Sequence, residues 1–400
     1  MRVVFISDVF FPRVNGVSTS IRTFRSDLGN CDVDTLLVAP HYAGTEGETD
    51  PSIIRVPSTG VPRDPEDRRM RWGALTQALQ SDRLKDVDLV HIHTPFVAHY
   101  AGVKLAKALK VPCVATYHTF FEEYLHHYVP VLPRSIGKWM ARRFTRSQCA
   151  DVQALIAPSE PMRDVLTEYG VTTPIHILPT GLPADRFREG QPRRFRQLIG
   201  VSESRPLVTY IGRVAHEKNI EFLVRMFVQI RASVPDALLI IAGEGPAREP
   251  LKQLVQRLQL QDHVRFVGYL DRDTSLLDCY AAADVFAFAS RTETQGLVLL
   301  EAMAQGAPVV STAELGTRSI LKGDCGALVV PENETEFAAA VVSVLRDDAL
   351  RVALSDRGRA YARTWSSATM ARRLAQLYAS LLPASAVRDN ARAQGFCATL

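Results

Sequence analysis

Short runs of apolar residues recur along the chain, each of strand length and each followed by an amphipathic stretch of helical length. In the first half they are Val3–Ser7, Thr35–Pro40, Ile53–Pro57, Asp88–His93, Cys113–His118, Ala154–Ser159 and His176–Pro179. In the second half they are Leu207–Gly212, Ala237–Gly243, Val264–Leu270, Val285–Ser290, Pro308–Thr312 and Gly326–Pro331. A strand buried on both faces loses its period-two alternation and reads as one continuous Val/Ile/Leu run. Alternation of such runs with helices predicts parallel sheets covered on both sides. Thirteen runs exceed one comfortable sheet. The fold class expected is therefore α/β, with two doubly wound, Rossmann-like domains. Such folds bind ligands in loops beyond the carboxyl ends of their strands.

The domain boundary is expected within Leu182–Ser204, a polar, Arg-rich stretch that carries Gly190, Gln191 and Pro192. This gives a first domain over residues 1–185 and a second over 186–365. A helix over 366–382 is expected to pack back on the first domain, followed by a tail over 383–400. The stretch Thr59–Arg71 is polar, interrupted by proline and without apolar period, so it reads as a loop.

Composition narrows the class without changing it. The chain has 400 residues, which suits two to three domains. With 46% hydrophobic and 22% charged residues it falls among globular proteins and not among disordered ones. No apolar run approaches the ~18 residues that span a bilayer, and Asp8 interrupts the N-terminal run too early for a signal peptide. Six dispersed cysteines without a CxxC pair read as reduced thiols of a cytosolic protein. The net charge of +4 suggests no nucleic-acid partner unless the excess is concentrated locally.

Three segments of the second half could carry chemistry. The run Leu207–Gly212 leads into Gly212, Arg213 and, five residues on, Lys218, just before a helical pattern. A glycine turn, two cations and a helix start suit a diphosphate; a solvated basic loop is the plain alternative. The run Ala237–Ala242 ends in the tight turn Gly243-Glu244-Gly245-Pro246, which by itself reads equally as plain punctuation. Third, Glu293 falls in a loop before a buried helix over Leu297–Gln305, with Glu301 about a turn and a half inside it. The amides of 294–297 would face the helix mouth, and a carboxylate among Leu300, Ala302 and Met303 needs donors. Sugar or ribose hydroxyls would serve, as would purely structural bonds.

The order Gly212-Arg213, Lys218, the AGEGP turn, Glu293 and Glu301 resembles the retaining family-4 glycosyltransferases of GT-B fold, from Val3 to about Leu382. The resemblance implies two Rossmann-like domains facing a central cleft. It also implies that Arg213 and Lys218 hold the donor diphosphate and neutralise the leaving nucleotide. Glu293, with the Thr294, Gln295, Gly296 and Leu297 amides, would contact the transferred sugar and phosphate, and Glu301 the ribose. In the first half, Asp8–Val17 resembles the family's N-terminal diphosphate loop, where Gly16 would let main chain approach. Asn15 stands where the family often has a first glycine. The loop lacks GxGxxG, which argues against a nicotinamide or flavin site. In relatives a histidine at the strand end matching His118 lies beside the transferred sugar, so His118 joins Glu293, Arg213 and Lys218 as the expected catalytic set. His91 and His93 share a strand face, yet no third ligand accompanies them. They read as structural, with no metal and no cofactor expected beyond the donor substrate.

The acceptor side is marked by aromatic and basic residues. Tyr117, Phe120, Phe121 and Tyr124 give an aromatic pattern that resembles diacylglycerol glucosyltransferases; ordinary aromatic packing is the alternative. Just downstream, Arg134, Lys138, Arg142, Arg143 and Arg146 occur without an acidic residue. On a helix, Arg134, Lys138, Arg142 and Arg146 form one row, while Ile136, Trp139, Met140 and Phe144 gather on another side. That composition suits an interfacial helix on anionic lipid, although a helix with a solvated basic face shares it. The expected function is transfer of a hexose from a nucleotide sugar, UDP-glucose favoured, to a glycerolipid such as diacylglycerol. The expected setting is peripheral, at the cytoplasmic face of the cell membrane. The alternatives are a GDP-mannose-dependent mannosyltransferase, then a sugar-nucleotide epimerase or dehydrogenase, or a non-catalytic nucleotide-sugar binding module.

Overall fold

Each of the thirteen apolar runs contains a strand. A computed structural model describes residues 1–45, 47–61, 64–118 and 134–382. In the first half β1 (Arg2–Ile6), β2 (Asp34–Pro40), β3 (Ile53–Val56), β6 (Leu89–Ile92), β7 (Cys113–Thr116), β8 (Ala154–Ala157) and β9 (Ile175–Ile177) form one sheet. Its order is β3-β2-β1-β6-β7-β8-β9, parallel throughout. In the second half β10 (Leu207–Ile211), β11 (Leu238–Ala242), β12 (Val264–Gly268), β13 (Val285–Phe288), β14 (Val309–Ser311) and β15 (Ala327–Val329) form another. Its order is β12-β11-β10-β13-β14-β15, again parallel. Val3, Val4, Phe5 and Ile6 are all fully buried, as are Leu239, Ile240 and Ile241. Burial on both faces explains why these strands read as unbroken apolar runs.

In both sheets the chain starts centrally, winds to one edge and returns to build the other. The winding reverses between β1 and β6 and between β10 and β13. Loops leaving the carboxyl ends of those strand pairs diverge, and the gap between them is where such sheets receive ligands.

The loop expected over Thr59–Arg71 is a hairpin instead. Strands β4 (Ser58–Val61) and β5 (Asp64–Met70) pair antiparallel, with Thr59 opposite Arg69 and Gly60 opposite Arg68. A two-stranded ribbon satisfies its backbone without burying a full face, so it leaves no apolar period to detect.

The chain divides into two units, Met1–Thr180 together with the segment from Ser367 onward, and Gly181–Ser366. The first break therefore falls before the polar stretch and not inside it, five residues ahead of the expected boundary. That stretch is pinned into the second unit: Gln305 donates to the Arg186 and Arg188 carbonyls and accepts from the Gly190 amide. Arg196 is buried and spreads its charge over the Ser202, Arg205 and Ala282 carbonyls and Asp284. Polar composition suggested solvent there, but arginines that satisfy carbonyls can be buried. The helix Ser367–Leu381 buries Met370, Ala371, Leu374 and Tyr378 against Phe5, Ile21 and Phe24 of the first unit. No helix among the described residues is long and apolar enough to cross a membrane.

Candidate active site

The loops at the carboxyl end of the second sheet are held together by main chain. Gly212 and Val214 donate to the Ala242 and Glu244 carbonyls at 3.0 and 2.9 Å, and Gly243 donates to Gly268 at 2.8 Å. Such close approach needs glycine. A Cβ at Gly243, where φ is +129°, would lie 2.0 Å from the Gly212 oxygen. One at Gly245, where φ is +155°, would lie 2.3 Å from the Val214 oxygen. The turn at 243–246 thus fixes the loop that carries Arg213 and Lys218. Gly243→Ala is expected to cost at least ~3 kcal/mol through clash and strain. In a thermal melt that would lower the transition of a unit this size by roughly 6–12 °C.

Between β10 and β13, where the winding reverses, lies the central feature of this unit. Lys218 Nζ donates to Glu293 Oε1 at 2.6 Å, both side chains about one-fifth exposed. Arg213 lies 3.9 Å from Glu217, and the buried Tyr210 hydroxyl donates to the Arg213 carbonyl. Lys218 sits in a short 3-10 turn, His216–Lys218, and Asn219 takes φ +55° to start the helix Ile220–Ser233. The cations expected to meet a diphosphate are thus partly exposed and locally balanced by carboxylates. A phosphate would replace those partners, which leaves Glu293 able to turn to hydroxyls.

Glu293 precedes the helix Leu297–Ala304, which begins after Gly296 with φ +97° and no capping side chain. The helix thus starts directly after the loop that brings Glu293 to Lys218, with Thr294 and Gln295 in the connecting segment. The loop after β14 packs against this segment: the Gly316 amide donates to the Glu293 carbonyl at 2.8 Å. Ala313 and Leu315 in that loop both hold φ near +50°. Glu301 is buried one turn into the helix and already has two partners. Arg272 approaches Oε1 at 3.2 Å and the Tyr280 hydroxyl donates to Oε2 at 3.0 Å. Structural bonds thus hold Glu301 in place, while each carboxylate oxygen keeps a second lone pair for a ligand hydroxyl.

At the corresponding reversal of the first sheet, between β1 and β6, stands Asp8, which sequence reasoning did not single out. It is buried, accepts from Thr94 Oγ1 at 2.8 Å and from the Ala98 amide at 3.1 Å, and so caps the helix Val97–Leu109. The signal was present as an acidic residue ending a fully apolar strand. Burial raises the Asp8 carboxyl to about 6. In the unfolded chain an aspartate titrates near 3.9, so between about pH 4 and 6 the folded state binds more protons. Stability from this group is full below that window and lost as pH rises through it. Relative to Asp8→Asn, wild type is expected to lose up to ~3 kcal/mol between pH 4 and pH 7 in urea unfolding.

Gly16 opens the helix Gly16–Leu28, and a Cβ there would meet nothing within 4 Å. Among the described residues no neighbour demands glycine at that point. Asn15 caps the same helix, accepting from the Ser18 amide at 2.8 Å, which gives the non-glycine residue a local reason. His118 follows β7 and meets His93 through Nε2 at 3.2 Å, while Tyr117 bonds Thr145 at 3.2 Å. A solvent-open recess of about 420 Å³ lies here, lined by Thr94, Pro95, Tyr117, His118, Thr145 and Gln148 among others.

The basic segment forms the helix Arg134–Cys149. Its buried stripe is Ala141, Thr145, Gln148 and Cys149. Lys138, Arg142, Arg143 and Arg146 are exposed, and so are Trp139 at 62% and Met140 at 47%. Arg143, outside the expected basic row, lies on the Trp139 side, with its guanidinium 5.9 Å from the ring. Phe144 is half-buried, so the exposed large apolar side chains described on this helix are Trp139 and Met140. Of the Arg134 side chain nothing is described, and Phe120, Phe121 and Tyr124 lie outside the described residues. Sequence reasoning also missed Arg272 and Tyr280, whose link to Glu301 spans 29 and 21 residues. A tyrosine inside the apolar helix Ser275–Ala281 was the available sign.

Comparison with known proteins agrees in both units. Residues 14–186 match the family model "Glycosyltransferase Family 4" and residues 193–361 match "Glycosyl transferases group 1". The alpha-monoglucosyldiacylglycerol synthase of Streptococcus pneumoniae is 31% identical over 86% of this chain and 78% of its own length. The GDP-mannose-dependent alpha-mannosyltransferase of Corynebacterium glutamicum is 28% identical over 85% and 80%. An Anabaena protein crystallised with UDP and glucose superposes with a TM-score of 0.77 at 16% identity, over 95% of this chain and all of its own.

Proposed function

Because this chain belongs to the family-4 glycosyltransferases of GT-B fold, and is a nucleotide-sugar-dependent hexosyltransferase, we propose that it moves glucose from UDP-glucose to diacylglycerol at an anionic membrane surface. The observation that carries the lipid acceptor is the helix Arg134–Cys149, with Trp139 and Met140 exposed among four basic side chains. A water-soluble acceptor gives no reason to expose a tryptophan and a methionine side by side, whereas an interfacial helix buries them at the headgroup boundary. The match to glucosyldiacylglycerol synthases supports the same acceptor. The setting follows as peripheral, on the inner leaflet, where anionic lipid attracts the basic row.

In this reading Arg213, Lys218 and the amides of 294–297 hold the donor diphosphate. Their charge is in place before the reaction, so they stabilise negative charge as it develops on the departing nucleotide without reorganising. Glu293, freed from Lys218 by the phosphate, takes hydroxyls of the hexose, Glu301 takes those of the ribose, and His118 also faces the hexose. The acceptor hydroxyl oxygen bonds the anomeric carbon on the face the diphosphate leaves. The carbon–oxygen bond to phosphate breaks, and the acceptor proton passes to the leaving phosphate oxygen. Configuration is retained without a protein nucleophile, and the two cations do the charge work without a resident metal or other cofactor. Product analysis after incubation with UDP- and GDP-sugars in lipid extract tests this: a glucolipid from UDP-glucose is expected. A mannosylated product from GDP-mannose would instead favour the reading drawn from the corynebacterial relative.

A further inference from the structure

Three histidines meet at the end of the first sheet, His91 and His93 buried and His118 half-buried, and only His118 has a role in the proposed reaction. His91 is fully engaged: Nδ1 meets the Tyr378 hydroxyl at 2.6 Å and Nε2 meets Thr116 Oγ1 at 2.7 Å. Its ring packs 4.0 Å from that of His93, and Phe5 lies against both. His93 differs. Nδ1 meets His118 Nε2 at 3.2 Å, but its own Nε2 is buried with no hydrogen-bond partner.

That orphaned nitrogen decides which way the protons sit. A neutral imidazole carries one N–H and one bare nitrogen. If Nε2 of His93 held the proton, a buried N–H would go unsatisfied, the costlier kind of orphan; a bare acceptor there is the cheaper one. The proton therefore belongs on Nδ1, which donates to His118 Nε2. Accepting at Nε2 obliges His118 to carry its own proton on Nδ1. Burial lowers both rings, His93 well below its usual range and His118 to about 4. Neither is an imidazolium near neutrality, and the tautomers are well defined.

We propose that His93 is a positioning residue that fixes the tautomer of His118, so that His118 offers Nδ1–H as a donor to an oxygen of the transferred hexose. This rests on the placement of His118 beside the sugar, but the tautomer itself does not. In this role His118 is a hydrogen-bond donor and not a base, consistent with a mechanism in which the leaving phosphate takes the proton. Asparagine can put an N–H where His93 Nδ1 stands; glutamine reaches instead toward the Nε2 position.

The test is two-bond 1H–15N correlation on protein labelled at histidine nitrogen, with peaks assigned through His118→Gln, alongside transfer kinetics. Wild type is expected to show His118 protonated at Nδ1 and unprotonated at Nε2. His93→Asn should keep that pattern and most of kcat. His93→Gln should mix the tautomers and lower kcat about tenfold, with an unchanged melting transition and KM for acceptor. His118 protonated at Nε2 in wild type would overturn the proposal without any variant. A His93→Gln enzyme with wild-type spectrum and kcat would overturn it equally. If the tautomers behave as stated but His118→Gln transfers sugar at the wild-type rate, the tautomer assignment stands, whereas the placement of His118 beside the sugar, and the donor role that depends on it, fail.

Discussion

Lys218→Ala is expected to lower kcat by about 10²- to 10³-fold, the range found when one preorganised charge-stabilising donor is removed from a transition state. The charge of the leaving diphosphate grows as the glycosidic bond to it breaks. Lys218 stands at the winding reversal between β10 and β13, where it holds Glu293 at 2.6 Å. The fold should survive, because the pair is one-fifth exposed and neither residue belongs to the core. Glu293→Ala should fall by a similar factor. Residues that act as one unit are not additive, so the double variant is expected to lie within about threefold of the worse single. Donor hydrolysis and transfer, measured beside a thermal melt, check all three. Wild-type turnover in both single variants would remove the donor site from this loop pair.

The second large effect concerns the membrane. Reversing Lys138, Arg143 and Arg146 to glutamate should reduce partitioning onto anionic vesicles at least ~10²-fold, since each basic residue near such a surface contributes ~1 kcal/mol. Arg142 is left in place because its guanidinium lies over the Tyr169 ring and so ties the helix to a neighbouring element, whereas the ring that Arg143 approaches is Trp139 of its own helix. The three chosen side chains are exposed, and folding should be intact. Binding of wild type should weaken as salt rises through screening. Trp139→Ala should lose affinity by a step that salt does not alter, because it removes apolar burial and not charge. Vesicle flotation reads both. Equal flotation of the triple variant and wild type would mean that the exposed basic row is only a solvated face.

Much of this was legible in the sequence, for identifiable reasons. Parallel strands buried on both faces announce themselves as apolar runs, so thirteen strands and two sheets could be read directly. Glycines forced by close backbone approach, as at Gly243 and Gly245, punctuate the strand end beside the loop that carries Arg213 and Lys218. What resisted reading depended on partners distant in sequence. The β4–β5 ribbon has no apolar period. The stretch after Gly181 reads as a boundary because Gln305, which satisfies its backbone, is more than 110 residues away in sequence. Glu301 could be placed in a buried helix, but not joined to Arg272 and Tyr280. The helix Arg134–Cys149 was recognisable by composition, yet its buried stripe of Ala141, Thr145, Gln148 and Cys149 was not, since none of these is a large apolar residue. The net charge of +4 proves uninformative as a total: the local excess lies on that helix, whereas Arg213 and Lys218 are balanced by Glu217 and Glu293.

The central claim is that one enzyme joins a nucleotide-bound hexose to a membrane lipid. The direct measurement is incubation of the purified protein with radiolabelled UDP-glucose and anionic vesicles containing diacylglycerol, followed by separation and linkage analysis of the lipid products. A single monoglucosylated diacylglycerol in α linkage is expected, formed on vesicles that the protein binds and lost in Lys218→Ala. Label that stays in the aqueous phase, with the protein fully active toward a water-soluble acceptor, would contradict it.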